Sequence, residues 1–110
     1  MAVIQLIREY IMKEEIIKII LKTCAELNEQ LKNKIDISKK EDAELYGNNG
    51  VLDSLGLVNL IVSTETEIEL KYGKSLTLAD GTSLPMNSSP FRTVNTFADY
   101  IVDLLNQESF

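Results

Sequence analysis

The first 33 residues contain neither glycine nor proline and are rich in isoleucine, leucine, glutamate and lysine. Apolar residues recur there at spacings of three and four, the repeat that places side chains on one face of an α-helix. This face comprises Ile16, Ile20, Cys24, Leu27 and Leu31. The segment therefore predicts a long amphipathic helix. The sequence Thr23-Cys24-Ala25-Glu26 could form a capping box, which leaves open a division into two helical segments.

An earlier apolar stripe of Ile4, Ile7 and Ile11 continues this spacing toward the start of the chain. We expect residues 1–12 to form an N-terminal extension of the first helix. The stripe permits dimerisation, and its packing back onto the rest of the domain is at least an equal alternative. For the protein as a whole we expect a monomer.

Two long loops are predicted farther along the chain. Residues 35–52 are polar and end near Gly47-Asn48-Asn49-Gly50, a strong turn signal. Loops of this length in a compact domain are functional or are held by buried side chains. The candidates for burial are Ile35, Ile37, Leu45 and Val51. Residues 74–90 contain both prolines and Asp80-Gly81, and they predict a second loop with a short helix around Ser89-Pro90-Phe91.

Two further helices follow these loops. Asp53-Ser54 begins one that runs to about Tyr72 and stops at Gly73. Its inward face is predicted to comprise Leu57, Ile61, Thr64 and Ile68, flanked by Val58 and Val62. Thr93 is the expected N-cap of the last helix. The inward residues there are Val94, Phe97, Ile101, Leu104 and Leu105, with Asp99 and Asp103 facing water.

No segment shows the sustained alternation that is typical of strands. We therefore predict one all-α domain over residues 1–110, a bundle of three main helices and one short helix. The aromatic residues Tyr72, Phe91, Phe97 and Tyr100 are expected to lie in the core or at its rim.

The composition restricts the chemistry, because the chain has no histidine and a single cysteine. It lacks the commonest general base and cannot form an internal disulfide or a structural zinc site. Cys24 is expected to be a buried, unreactive side chain. We predict no catalytic and no metal-binding residue, although this composition leaves enzymes built on carboxylates or lysine possible. The start of the chain lacks the pattern of a signal peptide and no stretch is long enough to span a membrane, so we expect a cytoplasmic protein.

The net charge of −6 disfavours nucleic acid and anionic membranes as partners, because their phosphates repel an acidic protein. Basic surfaces on other proteins are favoured instead, since opposite charge accelerates association.

The sequence Gly50-Val51-Leu52-Asp53-Ser54-Leu55-Gly56-Leu57-Val58-Asn59-Leu60 stands out. It places the Ser54 hydroxyl at a helix N-terminus, where free backbone N–H groups and the helix dipole favour a phosphate diester. Asp53 is suited to cap the same helix. The simpler interpretation is that Asp53-Ser54 only starts a helix, since both residues are ordinary in that position.

This sequence resembles the phosphopantetheine attachment motif of the acyl carrier protein family, particularly the version found in D-alanyl carriers and specialised acyl carriers. Asp53, Ser54 and Leu55 match its Asp-Ser-Leu, and Val58 and Leu60 match the apolar positions that follow. The likeness extends over about the last three-quarters of the chain. Residues 15–31 are similar to the family's first helix, and Thr93-Val94 and Asp99-Tyr100-Ile101 to its last. The resemblance implies an acyl-carrier-like bundle.

It also implies a carrier without catalysis of its own. A phosphopantetheinyl transferase would use coenzyme A and magnesium to attach 4′-phosphopantetheine to Ser54, with Asp53 and Leu55 at the attachment site. The thiol of that arm would carry an acyl or aminoacyl group as a thioester, for loading and acyl-transferring enzymes of fatty acid, polyketide or related biosynthesis. Leu55 would help to anchor the second helix and contact the transferase, and Val58, Asn59 and Glu65 would contribute to partner docking.

The sequence departs from the usual family pattern at several positions. Gly56 and Asn59 lie where many fatty-acid carriers have acidic residues, and Thr66 interrupts an acidic cluster. Gly50 lies one place farther from the serine than in the commonest motif. With the N-terminal extension and the long second loop, these differences indicate a specialised carrier. The alternatives are an unmodified helical interaction module with a carrier-like fold and, less favoured, a small enzyme.

Overall fold

The computed structural model describes residues 2–76, 78 and 90–107, and this part of the chain is mostly helical. Helix α1 spans Ala2–Asn28, α2 spans Ser54–Tyr72 and α3 spans Val94–Gln107, with a short 3₁₀ helix at Ile37–Asp42. Across these residues there is no strand, only the isolated β-bridges Glu44–Thr93 and Tyr46–Leu52. The predicted all-α class is confirmed, and so are the three main helices. In the same residues, no helix is both long enough and apolar enough to cross a membrane.

Helix α1 is continuous, so the division into two segments is wrong. The Thr23 hydroxyl donates within the helix, to the carbonyl oxygens of Ile20 (2.8 Å) and Ile19 (3.2 Å). A threonine engaged in this way lies inside a helix and does not cap one. The predicted inward face is confirmed: Ile16, Ile20 and Cys24 are fully buried, and Leu27 and Leu31 pack partly buried against the core.

Helix α3 closes the core as predicted. Its N-cap is Thr93, whose hydroxyl oxygen accepts a hydrogen bond from the Thr96 amide (3.1 Å). The predicted inward residues Val94, Phe97, Ile101 and Leu105 are buried, Leu104 is partly buried, and Asp99 and Asp103 are exposed. Phe91 makes edge-to-face contacts with Phe97 and Tyr100, with ring centroids 5.2 and 5.8 Å apart. The four predicted aromatic positions lie in the core or at its rim, since Tyr72 and Tyr100 are partly buried.

The loop before α2 is held by long-range backbone hydrogen bonds. The Leu45 amide donates to the Arg92 carbonyl (2.7 Å), the Val94 amide to Ala43 (3.0 Å) and the Leu52 amide to Leu45 (3.0 Å). Segment 43–46 thus lies between the start of α3 and the residues that lead into α2.

Within this loop, the pairing orients the side chains of segment 43–46, and Asn28 holds the backbone of Ile35. Ile35 and Leu45 are buried as predicted, but Ile37 and Val51 are 38% and 40% exposed, so that part of the prediction is wrong. Ala43 and Leu52 are buried in their place. Side chains of an extended backbone alternate between two faces. The hydrogen bonds of this segment orient the side chains of Ala43 and Leu45 toward the core.

Helix α2 runs as predicted and ends at Gly73, which has a left-handed φ of 68°. Its predicted inward residues Leu57, Ile61, Thr64 and Ile68 are buried. The flanking Val58 and Val62 are instead half-exposed, and Leu60 fills the core.

Only part of the second loop lies within the described residues. Asp80-Gly81 and Ser89 fall outside them, and Pro90 and Phe91 form a turn instead of a helix. Among the described residues, the short helix is the 3₁₀ helix at Ile37–Asp42, inside the segment for which the sequence predicts a loop.

Two glycines give a matched pair of stability predictions. A Cβ atom on Gly50 would lie 2.5 Å from backbone atoms of Leu45 and Tyr46, whereas a Cβ atom on Gly73 would meet nothing within 4 Å. We expect Gly50→Ala to lower the free energy of unfolding by about 3 kcal/mol, because the backbone must move. Gly73→Ala should cost only about 1 kcal/mol, from the left-handed conformation. Urea denaturation of both variants measures this, and equal losses would contradict the steric account of Gly50.

Candidate functional site

Ser54 is the first residue of α2, and its side chain is exposed to solvent. Within the part of the chain that the structure describes, its hydroxyl has no hydrogen-bond partner. Helix geometry also leaves the amides of Ser54 and Leu55 without an acceptor inside α2, because the first bond of the helix starts at the Leu57 amide. The hydroxyl therefore lies at the positive end of the helix dipole and is open to approach.

Asp53 fixes the start of this helix. Its carboxylate oxygen accepts a hydrogen bond from the Gly56 amide at 2.7 Å, and its carbonyl oxygen accepts one from the Leu57 amide at 2.9 Å. The Asp53 backbone is extended, with φ −86° and ψ −176°, as expected for an N-cap residue. The predicted capping role of Asp53 is confirmed.

Gly56 has a packing role that the sequence interpretation missed. It is buried, and a Cβ atom there would lie 3.1 Å from Leu52 Cδ2 and 3.2 Å from Asp53 Oδ1. A side chain at this position would press on the capping carboxylate and on the buried Leu52. Its position in the sequence indicates this role, because Gly56 lies three residues after the N-cap aspartate, at the amide that the capping carboxylate binds.

Leu55 is 70% exposed, so the expectation that it anchors the second helix is wrong. The buried Leu52 and Leu57 perform that role on either side of the serine. The exposed Leu55 belongs to an apolar strip along α2 that also contains Val58 and Val62, spaced as neighbours on one helix face.

The other two candidate docking residues differ in their surroundings. Asn59 is exposed next to the apolar strip. Glu65 is partly buried, and its carboxylate accepts a hydrogen bond from the Leu78 amide at 2.7 Å. This bond ties Leu78 to α2, so the Glu65 carboxylate is already engaged.

Two ion pairs join the C-terminal half of α2 to α1. Lys22 lies 3.1 Å from the Glu67 carboxylate, and Lys71 lies 3.9 Å from Glu15 of α1. The Tyr72 hydroxyl donates to Glu15 at 2.8 Å. Burial raises the pKa of Tyr72, and the neighbouring Glu15 carboxylate adds to the effect. These contacts lie at the opposite end of α2 from Ser54, where Leu55 and Val58 are the exposed apolar residues.

The described residues contain no cluster of three or more side chains suited to hold a metal ion. The thiol of Cys24 is buried in the core, and this burial raises its pKa to about 12. Ser54 is thus an exposed hydroxyl at the capped start of α2.

Comparisons with protein-family models, with curated proteins and with solved structures found no match to this chain. A functional assignment depends on the motif and on the geometry around Ser54.

The capping bond of Asp53 gives a direct stability prediction. Asp53→Ala removes the acceptor for the Gly56 amide and should lower the free energy of unfolding by about 1 kcal/mol. Asp53→Asn keeps an oxygen acceptor and should lose much less. Urea denaturation compares the two variants, and equal losses would show that the carboxylate charge matters more than the cap.

The buried thiol predicts slow chemical modification. At about pH 8 little thiolate forms on a group whose pKa is so strongly raised, so Cys24 should react with a disulfide reagent far more slowly in the native protein than in urea. The absorbance of the coloured thiol that the reagent releases measures the reaction rate. Equal rates in the native and denatured states would contradict the burial of Cys24.

Proposed function

We propose that the protein is a cytoplasmic carrier that holds acyl or aminoacyl groups as thioesters on a 4′-phosphopantetheine arm attached to Ser54. The observation that carries this proposal is the exposed Ser54 hydroxyl without a described hydrogen-bond partner, at the first position of α2. Asp53 is the N-cap of α2 and accepts the Gly56 amide, so capping does not occupy the Ser54 hydroxyl.

The attachment needs a separate phosphopantetheinyl transferase, with coenzyme A as donor and magnesium. The Ser54 oxygen forms a bond to the phosphorus that bears pantetheine, and the P–O bond of the diphosphate breaks. Adenosine bisphosphate leaves, and the hydroxyl proton passes to a base of the transferase. The serine supplies the oxygen, and the transferase supplies the catalysis.

The surroundings of Ser54 suit the product of this reaction. A phosphate diester there would lie beside the amides of Ser54 and Leu55 and at the positive end of α2, which favours a negative charge by about 0.3–1 kcal/mol at an exposed site. The arm and its cargo would leave along a surface where Leu55 and Val58 are exposed.

The arrangement of helices supports an acyl-carrier-like bundle. A long first helix, a serine-led helix and a closing helix follow in the order of that family. Partner enzymes for loading and acyl transfer would dock on α2 through Val58 and Asn59. Glu65 fits this role less well, because it holds Leu78. The apolar strip favours dedicated partners over those that select strongly acidic carriers.

A modification assay tests this function. The purified protein, incubated with coenzyme A, magnesium and a broad-specificity phosphopantetheinyl transferase, should gain the mass of one phosphopantetheine group. Ser54→Ala should gain none. Ser63→Ala is the matched control, because Ser63 is also exposed on α2, and it should be modified like the wild type. A wild-type chain that stays unmodified with several such transferases would contradict the proposal.

A second candidate is an unmodified helical interaction module. The exposed apolar residues near the start of α1 favour it, because such a surface is typical of protein contacts. Binding partners captured equally by the wild type and by Ser54→Ala, together with failure of the modification assay, would support this candidate.

A further inference from the structure

A cavity of about 210 Å³ lies between the turn at residues 47–50 and the residues that lead into α3. The residues that form its wall include Glu44, Tyr46, Asn49, Gly50, Arg92 and Thr93. They bring two opposite charges, an amide and hydroxyl groups to one small space. A wall of this kind offers hydrogen bonds and charge with little apolar surface, so it suits a small polar ligand.

The two charged residues of this wall do not pair with each other. Within the part of the chain that the structure describes, neither the Glu44 nor the Arg92 side chain forms an ion pair or a hydrogen bond. Both residues are exposed to solvent. A carboxylate and a guanidinium that line the same cavity without contact leave space between them for a ligand that carries both charges.

The backbone beneath these two residues is held in place. The Leu45 amide donates to the Arg92 carbonyl at 2.7 Å, and Glu44 forms an isolated β-bridge with Thr93. The turn packs tightly on the same segment, because a Cβ atom on Gly50 would lie only 2.5 Å from backbone atoms of Leu45. A wall that is already formed lowers the entropy cost of binding.

We propose that this cavity binds a small zwitterion of the α-amino acid type. The Arg92 guanidinium donates paired hydrogen bonds to the carboxylate of the ligand, and the Glu44 carboxylate accepts from its ammonium group. A simple anion is repelled by Glu44 and a simple amine by Arg92, whereas a zwitterion is attracted by both. The net charge of −6 does not oppose such a ligand, because a zwitterion has no net charge.

The volume of the cavity restricts the size of the amino acid. At the roughly 30 Å³ that a water molecule occupies in the liquid, 210 Å³ corresponds to about seven non-hydrogen atoms. Serine has this size. The Asn49 amide and the partly buried Tyr46 are also part of the wall, and they add hydrogen-bonding groups for a polar side chain. Ser54 does not line the cavity, so this inference does not rest on the carrier function.

Titration of the full chain with L-serine, followed by heteronuclear NMR of the backbone amides, tests the site. The amide signals of Asn49, Gly50 and Thr93 should shift with a dissociation constant between about 0.1 and about 10 mM. Two probes of similar size remove one charge each. 3-Hydroxypropanoate lacks the ammonium group and ethanolamine lacks the carboxylate, and each should bind about tenfold more weakly or worse.

Four charge variants show whether the response belongs to this cavity. Arg92→Gln and Glu44→Gln should each weaken L-serine binding about tenfold or more. The matched controls are Lys32→Gln and Glu29→Gln, because both residues are exposed and do not line the cavity, and they should bind like the wild type. Ser54→Ala should also bind L-serine unchanged, which separates this site from the carrier function. Circular dichroism melting curves check that every variant folds.

Three results would overturn the proposal. The first is binding of 3-hydroxypropanoate or ethanolamine as tight as that of L-serine, because one charge would then suffice. The second is equal weakening in the cavity variants and in the control variants. The third is a set of cavity amide signals that do not shift at about 50 mM L-serine.

Discussion

Three backbone hydrogen bonds at segment 43–46 hold the site together, because they tie the ends of two helices that are distant in sequence. Leu45 donates to Arg92 and accepts from Leu52, while Ala43 accepts from Val94. The start of α3 and the approach to α2 are thereby fixed to one short stretch of extended chain. Gly50 has no side chain where the loop passes against the backbone of Leu45 and Tyr46, so the turn can close.

The chemistry of the site follows from how the tasks at the start of α2 are divided. Asp53 caps the helix, Leu52 and Leu57 provide the buried contacts, and Gly56 leaves room for the cap. Ser54 therefore lies exposed beside free helix amides. A carrier requires this combination, because its modified side chain must reach several enzymes in turn while the helix beneath it stays ordered. The apolar strip at Leu55 would serve such enzymes as a contact.

The parts of this structure that depend on local signals could be predicted from the sequence. Asp53 and Gly73 mark the ends of α2, and the helical repeat identifies its core residues. The burial of loop side chains could not be predicted in the same way, because the hydrogen bonds of Leu45 with Arg92 decide it and the two residues are far apart in the chain. Thr23 was ambiguous because a hydroxyl can cap a helix or bond back within one. The orientation of the start of α1 likewise depends on its contacts with α3, through Glu9 and Lys13.

Tandem mass spectrometry of the protein isolated from its native host tests most directly whether the Ser54 oxygen carries the proposed covalent arm in the cell. Peptides that span Ser54 should carry a phosphopantetheine group, in part with an acyl or aminoacyl cargo that hydroxylamine removes. The cargo on those peptides would also identify the pathway that the carrier serves. Native protein in which every Ser54 peptide has an unmodified hydroxyl would contradict the claim.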